Sequence, residues 1–285
     1  MVKNNRALQF AIIVTLVLRI FTSLVMYAAT KGTSIETCLD FPCNEQVNQQ
    51  LNSSGFGKYF LAPWYRWDAV HYLDKADPGY QVFGLENTVW PPLYSWLIQL
   101  ISPLIPGMAA ALLISTLACG IFFYLLFSEV LARWDEIIAC RTVLLTAFFP
   151  TGFFLMAGYS EAEFLALSLG VFVYLRKQKY WLAGVLGALA VLTRLQGVFL
   201  VIPFIWEILR YSRRQWAGQK NFALLQWMVT DKKIRQLAAA AAFILFAMVL
   251  YFCCVHYLQG ATWPWNSLST RWGRQLSWPG LGFIN

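Results

Sequence analysis

Long apolar runs alternate with short polar segments along most of this 285-residue chain. Several runs are long enough to cross a hydrocarbon core about 30 Å thick. The first run, ALQFAIIVTLVLRIFTSLVMYAAT, is too long for the core of a signal peptide and lacks a small-residue cleavage pattern, so it is predicted to be a retained span. The pattern therefore predicts an all-α polytopic membrane protein. Its predicted spans are residues 8–30, 108–131, 142–158, 161–176, 180–193, 196–209 and 236–258.

The apolar segment LYSWLIQLISPLI, residues 93–105, is treated separately because it is short and is flanked by prolines. Its length suits an interfacial or re-entrant helix better than a crossing. Without it as a span, residues 31–92 form one large outer loop.

The distribution of charge supports this topology. Lys3 and Arg6 place the N-terminus inside, and the strongly basic segment 210–235 then also lies inside. The outer loop 31–92 holds seven of the fourteen acidic residues and only four basic ones. Counting 93–105 as a span would place the most basic loop outside, against the positive-inside rule.

This topology has a consequence for the polar motifs of the chain. RWDAVHYLDKADPGY (66–80), AGYSEAEF (157–164) and LTRLQG (192–197) are all expected on the outer face. Motifs that are far apart in sequence thus converge on one membrane surface, as they must where a site is built there.

The composition agrees with a membrane protein and excludes a soluble domain. The chain is 59% hydrophobic and 13% charged, with a mean hydropathy of +0.53. The net charge of +8 does not indicate nucleic acid, because cytoplasmic loops of membrane proteins are normally basic. Cys38 and Cys43 lie in a polar loop and can pair if that loop faces an oxidising compartment, although no spacing rule decides it.

The segment 66–76 carries the strongest candidate chemistry. As a helix it places Asp68, His71, Tyr72 and Lys75 on one face, and the Asp-Pro-Gly that follows should end it. We expect this amphipathic helix to lie on the outer membrane face. Asp68, partly shielded by Trp67, can act as a general base, and His71 can orient it or contact a phosphate. The alternative is an interfacial helix whose aromatic residues only anchor it among the lipid headgroups.

Two arginines lie at or near predicted spans. Arg19 is near the middle of the first span, where an unpaired arginine costs about 3 kcal/mol, so it needs a partner such as Glu161 or Glu163. Arg194 can either extend to the interface or bind a lipid phosphate. Ser160 is a candidate cap for the helix that is predicted to begin at Glu161, and Tyr159 can line a sugar pocket.

No cofactor follows from these motifs. The chain has no phosphate-binding glycine loop, nucleophile elbow or zinc pattern, and only two histidines. Asp68, Asp74 and Asp77 can in principle hold a divalent metal, but their positions around a helix spread them apart.

Four blocks, RWDAVHYLDKADPGY, WPPLYSW, FFPTGFFLMAGYSEAEFLAL and WLAGVLGALAVLTRLQGVFLVIPF, resemble the PIG-V family in motif and order. The resemblance implies a GT-C type glycosyltransferase whose large first outer loop carries the catalytic acid. It implies inverting transfer of mannose from a polyprenyl- or dolichyl-phosphate donor to a lipid-linked acceptor, as in GPI-anchor mannosylation. The implied partners are membrane lipids and these two lipid-linked substrates, without nucleic acid. Trp67, Asp68 and His71 match the motif of the family.

The expected catalytic residues are therefore Asp68 and His71. The chain departs from the family in the charged segment YLDKADPGY and in its length, since family members are usually longer. A lipid or sugar transporter and a non-catalytic membrane assembly factor are the competing hypotheses. The location is expected to be the plasma membrane in a prokaryote or the endoplasmic reticulum in a eukaryote. The expected substrate-binding residues are Trp67, Arg66, Tyr80, Tyr159, Glu161, Arg194 and Arg19.

Overall fold

The computed structural model describes residues 2–31, 45–77, 89–215, 230–258, 263 and 266. The predicted site residue Tyr80 and the candidate pair Cys38 and Cys43 lie outside these residues. Helices form most of the described chain. They are α1 (Val2–Lys31), α2 (Glu45–Asn52), α3 (Asp68–Ala76), α4 (Leu93–Ile101), α5 (Gly107–Leu131), α6 (Glu136–Ala147), α7 (Glu161–Arg176), α8 (Tyr180–Thr193), α9 (Val201–Gln215) and α10 (Lys232–Cys253).

Within the described residues, four helical segments are long and apolar enough to cross a membrane. They cover residues 5–31, 107–131, 195–214 and 232–257. Large apolar side chains of α1, among them Ile13 and Ile20, are more than half exposed, as expected for a surface that faces lipid. The chain is therefore an all-α, multi-pass membrane protein.

Two predicted spans differ from the observed helices. The helix in the region 142–158 begins earlier, at Glu136, because the Asp135 side chain caps it by accepting from the backbone N–H of Ile138 at 2.8 Å. The helix ends at Ala147, three residues before Pro150. A proline disfavours helical backbone at the residue that precedes it, here Phe149. The rest of this run forms a 3₁₀ turn, Gly152–Leu155. Likewise, the region 196–209 begins with a 3₁₀ turn, Leu195–Leu200, before α9.

The core consists of three main clusters of apolar side chains along the helix bundle. One joins α3, α4 and the start of α5, including Tyr94 and Ile98. The second joins α1, α5, α6 and α7 around Phe123 and Phe127. The third joins α7, α8, α9 and α10 around Phe204 and Ile244. Since α5 and α7 each contribute to more than one cluster, they connect the site-bearing end to the rest of the bundle.

Charged side chains collect at the two opposite ends of this bundle. At one end, ion pairs join the start of α1 to α6, the end of α5 to α7, and α9 to the start of α10; they are Arg6–Glu136, Arg176–Glu129 and Lys233–Glu207. At the other end, the start of α7 and the residue after α8 pair through Glu161 and Arg194. The polar segments singled out in the sequence meet at this second end.

Candidate functional site

Helix α3 is enclosed by the protein on almost all sides. It packs against α4 and α5, and seven of its nine residues are buried. His71 is only 2% exposed and Tyr72 is equally buried. The expected amphipathic helix lying on the outer membrane face is therefore wrong, because the chain before α3 and around Trp90 packs over it. The helix ends at Ala76, before the Asp77-Pro78 pair.

Asp68 opens α3 and lies half-buried at its N-terminus. The residue before it, Trp67, is 60% exposed and has a positive φ of 49°, a backbone conformation that is strained for a bulky side chain. Burial raises the pKa of the Asp68 carboxyl above its usual value, while the positive charge of Arg194 and a hydrogen bond from the Trp90 side chain oppose the increase. A carboxylate in such surroundings can accept a proton from a bound hydroxyl group.

Arg194 and Glu161 form an ion pair next to Asp68. The Arg194 Nη1 atom lies 2.5 Å from Glu161 Oε1, and both side chains are about three-quarters buried. The positive charge of Arg194 also acts on Asp68, and the two carboxylates of Asp68 and Glu161 act on each other. The sequence had offered Glu161 as a partner for Arg19, but in the structure Glu161 pairs with Arg194.

Residues 157–160 attach this ion pair to α3 and α5. The Tyr72 hydroxyl lies 2.6 Å from Ser160 Oγ, and the Ser115 hydroxyl donates to the Tyr159 carbonyl oxygen at 3.1 Å. Ser160 does precede α7, but its side chain makes no capping bond, so the predicted capping role is wrong. Gly158 fits here because an added Cβ would lie 2.3 Å from Met108 Cε. The segment thereby holds the first turn of α7 close to the start of α3.

Trp90 forms the opposite wall of the site. Its ring stacks on the His71 ring with centroids 3.9 Å apart and an interplanar angle of 17°. Its carbonyl oxygen accepts hydrogen bonds from Lys75 Nζ at 2.6 Å and from the Tyr251 hydroxyl at 3.2 Å. Lys75 also donates to the Tyr251 hydroxyl at 3.0 Å, and its burial lowers its pKa to about 8. These contacts join α3 to the end of α10.

The remaining predicted substrate-binding residues occupy different positions. Arg66 lies beside Tyr159, whose hydroxyl donates to the Arg66 carbonyl oxygen at 3.2 Å. Arg19 is held by α5 instead, because its guanidinium donates to Thr116 Oγ1 and to the Leu112 carbonyl oxygen and lies 5.8 Å from the Trp64 ring centroid. The structure thus brings Asp68, Glu161, Arg194, Tyr159 and Arg66 together, whereas Arg19 has its contacts between α1 and α5.

Sequence reasoning missed two parts of this arrangement. Trp90 begins the WPPLYSW block, and its position before two prolines indicated a restricted backbone. Its contacts with His71 and Asp68 could not be predicted from that position. Tyr251 lies in an apolar run without any local signal, and it contacts Trp90 and Lys75, which are 161 and 176 positions earlier. Within the described residues, no group of three or more His, Cys, Asp or Glu side chains is placed to hold a metal ion.

The arrangement can serve group transfer at a membrane surface. It combines a half-buried carboxylate that can accept a proton with a guanidinium group that can bind a phosphate. Trp67, the residue before Asp68, is exposed, and its indole offers a flat apolar surface.

The chain is similar to known proteins over most of its length. The family model described as Mannosyltransferase (PIG-V) matches residues 4–270. GPI mannosyltransferase 2 of Schizosaccharomyces pombe is 27% identical over 215 residues, which is 73% of this chain and 44% of that protein. GPI mannosyltransferase 2 of Yarrowia lipolytica is 27% identical over 194 residues, which is 66% of this chain and 52% of that protein. The chain spans about half the length of these curated relatives. No solved structure matches it at comparable significance.

Proposed function

Because the chain belongs to the PIG-V mannosyltransferase family, we propose that it transfers mannose from a polyprenyl- or dolichyl-phosphate donor to a lipid-linked acceptor. The observation that supports this most is the meeting of Asp68 with the Arg194–Glu161 pair at one end of the bundle. The relatives named above are GPI mannosyltransferases by name, and we propose a lipid-linked glycan acceptor for this chain.

The proposed reaction is a single displacement with inversion. Asp68 takes the proton of the acceptor hydroxyl, whose oxygen forms a bond to the anomeric carbon of mannose. The bond from that carbon to the phosphate oxygen breaks, and the lipid phosphate leaves with the electron pair. Arg194 balances the charge on the departing phosphate, which replaces Glu161 as the partner of the guanidinium group. His71 acts on Asp68 through Trp90, because it is buried beneath that ring.

We place the reaction on the outer or lumenal membrane face, which the distribution of charge in the sequence supports. Trp67 is proposed to receive the acceptor sugar on its exposed ring, and Tyr159 and Arg66 to line the same pocket. Arg19 is proposed to stabilise the packing of α1 against α5 beside Trp64, without contacting the substrate.

The test is a transfer assay in membranes with polyprenyl-phosphate-mannose, in which the wild-type chain is compared with Asp68→Asn. We expect this variant to lose at least about a hundredfold in transfer at an equal protein level, because the amide cannot accept the proton. Asp77→Asn is the matched control, since Asp77 is exposed just after α3, and it should retain the wild-type rate. Full activity of Asp68→Asn would refute the role of the carboxylate as the base.

The same assay separates the two competing functions. A transporter of lipid or sugar would move the donor across vesicle membranes without forming a glycosylated product. A non-catalytic assembly factor would show neither reaction, and the Asp68→Asn substitution would not affect it.

A further inference from the structure

Trp90 occupies a rigid position at the edge of the site. It is followed by Pro91 and Pro92, both buried, which restrict the backbone on its C-terminal side. Its carbonyl oxygen is held by donors from two helices, Lys75 of α3 and Tyr251 of α10. The backbone of Trp90 is therefore attached to both sides of the site at once.

The side chain of Trp90 is equally constrained. Its ring lies nearly parallel to the buried His71 ring at a centroid distance of 3.9 Å. Because an indole has a single N–H donor in a fixed direction, a fixed ring also fixes the direction of that donor. The ring lies against the first turn of α3, which begins at Asp68, and hydrogen bonding from the Trp90 side chain favours the charged form of that carboxyl.

We propose that Trp90 is the positioning residue for the Asp68 carboxylate, which its indole N–H holds in the orientation that receives the acceptor proton. This inference rests on the proposed function, because it assigns Asp68 the role of the base. His71 and Tyr251 contribute by holding the ring and the backbone of Trp90, respectively. The buried histidine thereby has a role that does not require it to touch the substrate.

Four other titratable or charged groups also affect the titration of Asp68. Arg194 acts on it from the residue after α8, and Glu161 from the start of α7. Tyr72 of α3 and Tyr159 of the segment before α7 also lie within electrostatic range. The substitution Trp90→Phe leaves these four groups in place. Any water admitted by the smaller ring lowers the pKa of Asp68, so a raised midpoint reports the lost hydrogen bond.

The test is the substitution Trp90→Phe, which keeps an aromatic ring over His71 and removes the N–H donor. A hydrogen bond to a carboxylate stabilises the charged form, so its loss moves the acid limb of the kcat/KM profile to higher pH, by about one pH unit. We expect kcat to fall about tenfold while KM for the donor stays within about twofold. Trp96→Phe is the matched control, since Trp96 is 55% exposed on α4, and it should leave the profile unchanged.

A second measurement keeps this test independent of transfer activity. Carbodiimide reacts with protonated carboxyl groups, so labelling of Asp68 across pH, read by mass spectrometry, gives its midpoint in any folded sample. Trp90→Phe should raise that midpoint. The substitution Tyr251→Phe, which removes one donor to the Trp90 carbonyl oxygen, should raise it by less. An unchanged midpoint in both variants overturns the inference, whereas absent transfer by the wild type overturns only the proposed function.

Discussion

At the scale of single residues, Arg194 is the group whose identity matters most for the proposed donor. Its guanidinium lies 2.5 Å from Glu161 and acts electrostatically on Asp68. Since a guanidinium binds carboxylate and phosphate with two parallel hydrogen bonds and an ammonium group cannot, Arg194→Lys should weaken donor binding although the charge is kept. We expect KM for the lipid-phosphate donor to rise about tenfold, measured by steady-state transfer at saturating acceptor.

The control for this substitution is Arg133→Lys, at an arginine that pairs with Glu129 at the opposite end of the bundle. It makes the same chemical change in an ion pair that is far from Asp68, so donor KM should stay at the wild-type value. An unaltered donor KM in Arg194→Lys would show that the phosphate is bound elsewhere, and Arg19 would then be the next arginine to test.

At the scale of elements, the position of Arg194 depends on how the Leu195–Leu200 turn folds back against α8. Gly197 makes this possible, because an added Cβ would lie 2.5 Å from the Val191 backbone nitrogen and 2.6 Å from the Ala190 carbonyl carbon. Backbone atoms cannot move aside as a flexible side chain can. Gly197→Ala should therefore displace the turn and cost about 1–3 kcal/mol, seen as a lower melting temperature in detergent together with reduced transfer.

Gly55→Ala makes the comparison specific, because an added Cβ there meets no atom within 4 Å. It should leave both the melting temperature and the transfer rate near those of the wild type. Equal effects of the two substitutions would mean that the loss reflects glycine chemistry in general and not the close approach of the turn to α8.

These elements also show what the sequence can and cannot predict. Apolar runs predicted the existence of the long helices, because every backbone group in a lipid environment must be satisfied within its own segment. The capping role predicted for Ser160 was wrong, since the competing partner, Tyr72, comes from a segment 88 positions earlier. The role of Trp90 was invisible for the same reason. Contacts between distant segments depend on how helices pack, and no local pattern encodes that.

At the scale of the whole molecule, the described helices have two chemically different ends. The end with Asp68, Glu161 and Arg194 is formed by the starts of α3 and α7 and the residue after α8. The other end carries the ion pairs Arg6–Glu136 and Lys233–Glu207 and leads into the basic segment 210–235. If the bundle spans the membrane along its length, the positive-inside rule assigns the second end to the cytoplasm and the candidate site to the outer face.

This assignment predicts opposite accessibility for two exposed residues. Asn52 ends α2 on the side of the candidate site, and Arg213 lies in the last turn of α9 on the basic side. In a background without native cysteines, an impermeant maleimide applied to the non-cytoplasmic face of sealed vesicles should label a single cysteine at Asn52→Cys. The same reagent should label Arg213→Cys only after the membrane is opened with detergent. Labelling of both positions from the same side would contradict the topology and would also remove the charge-based argument for an outer-face reaction.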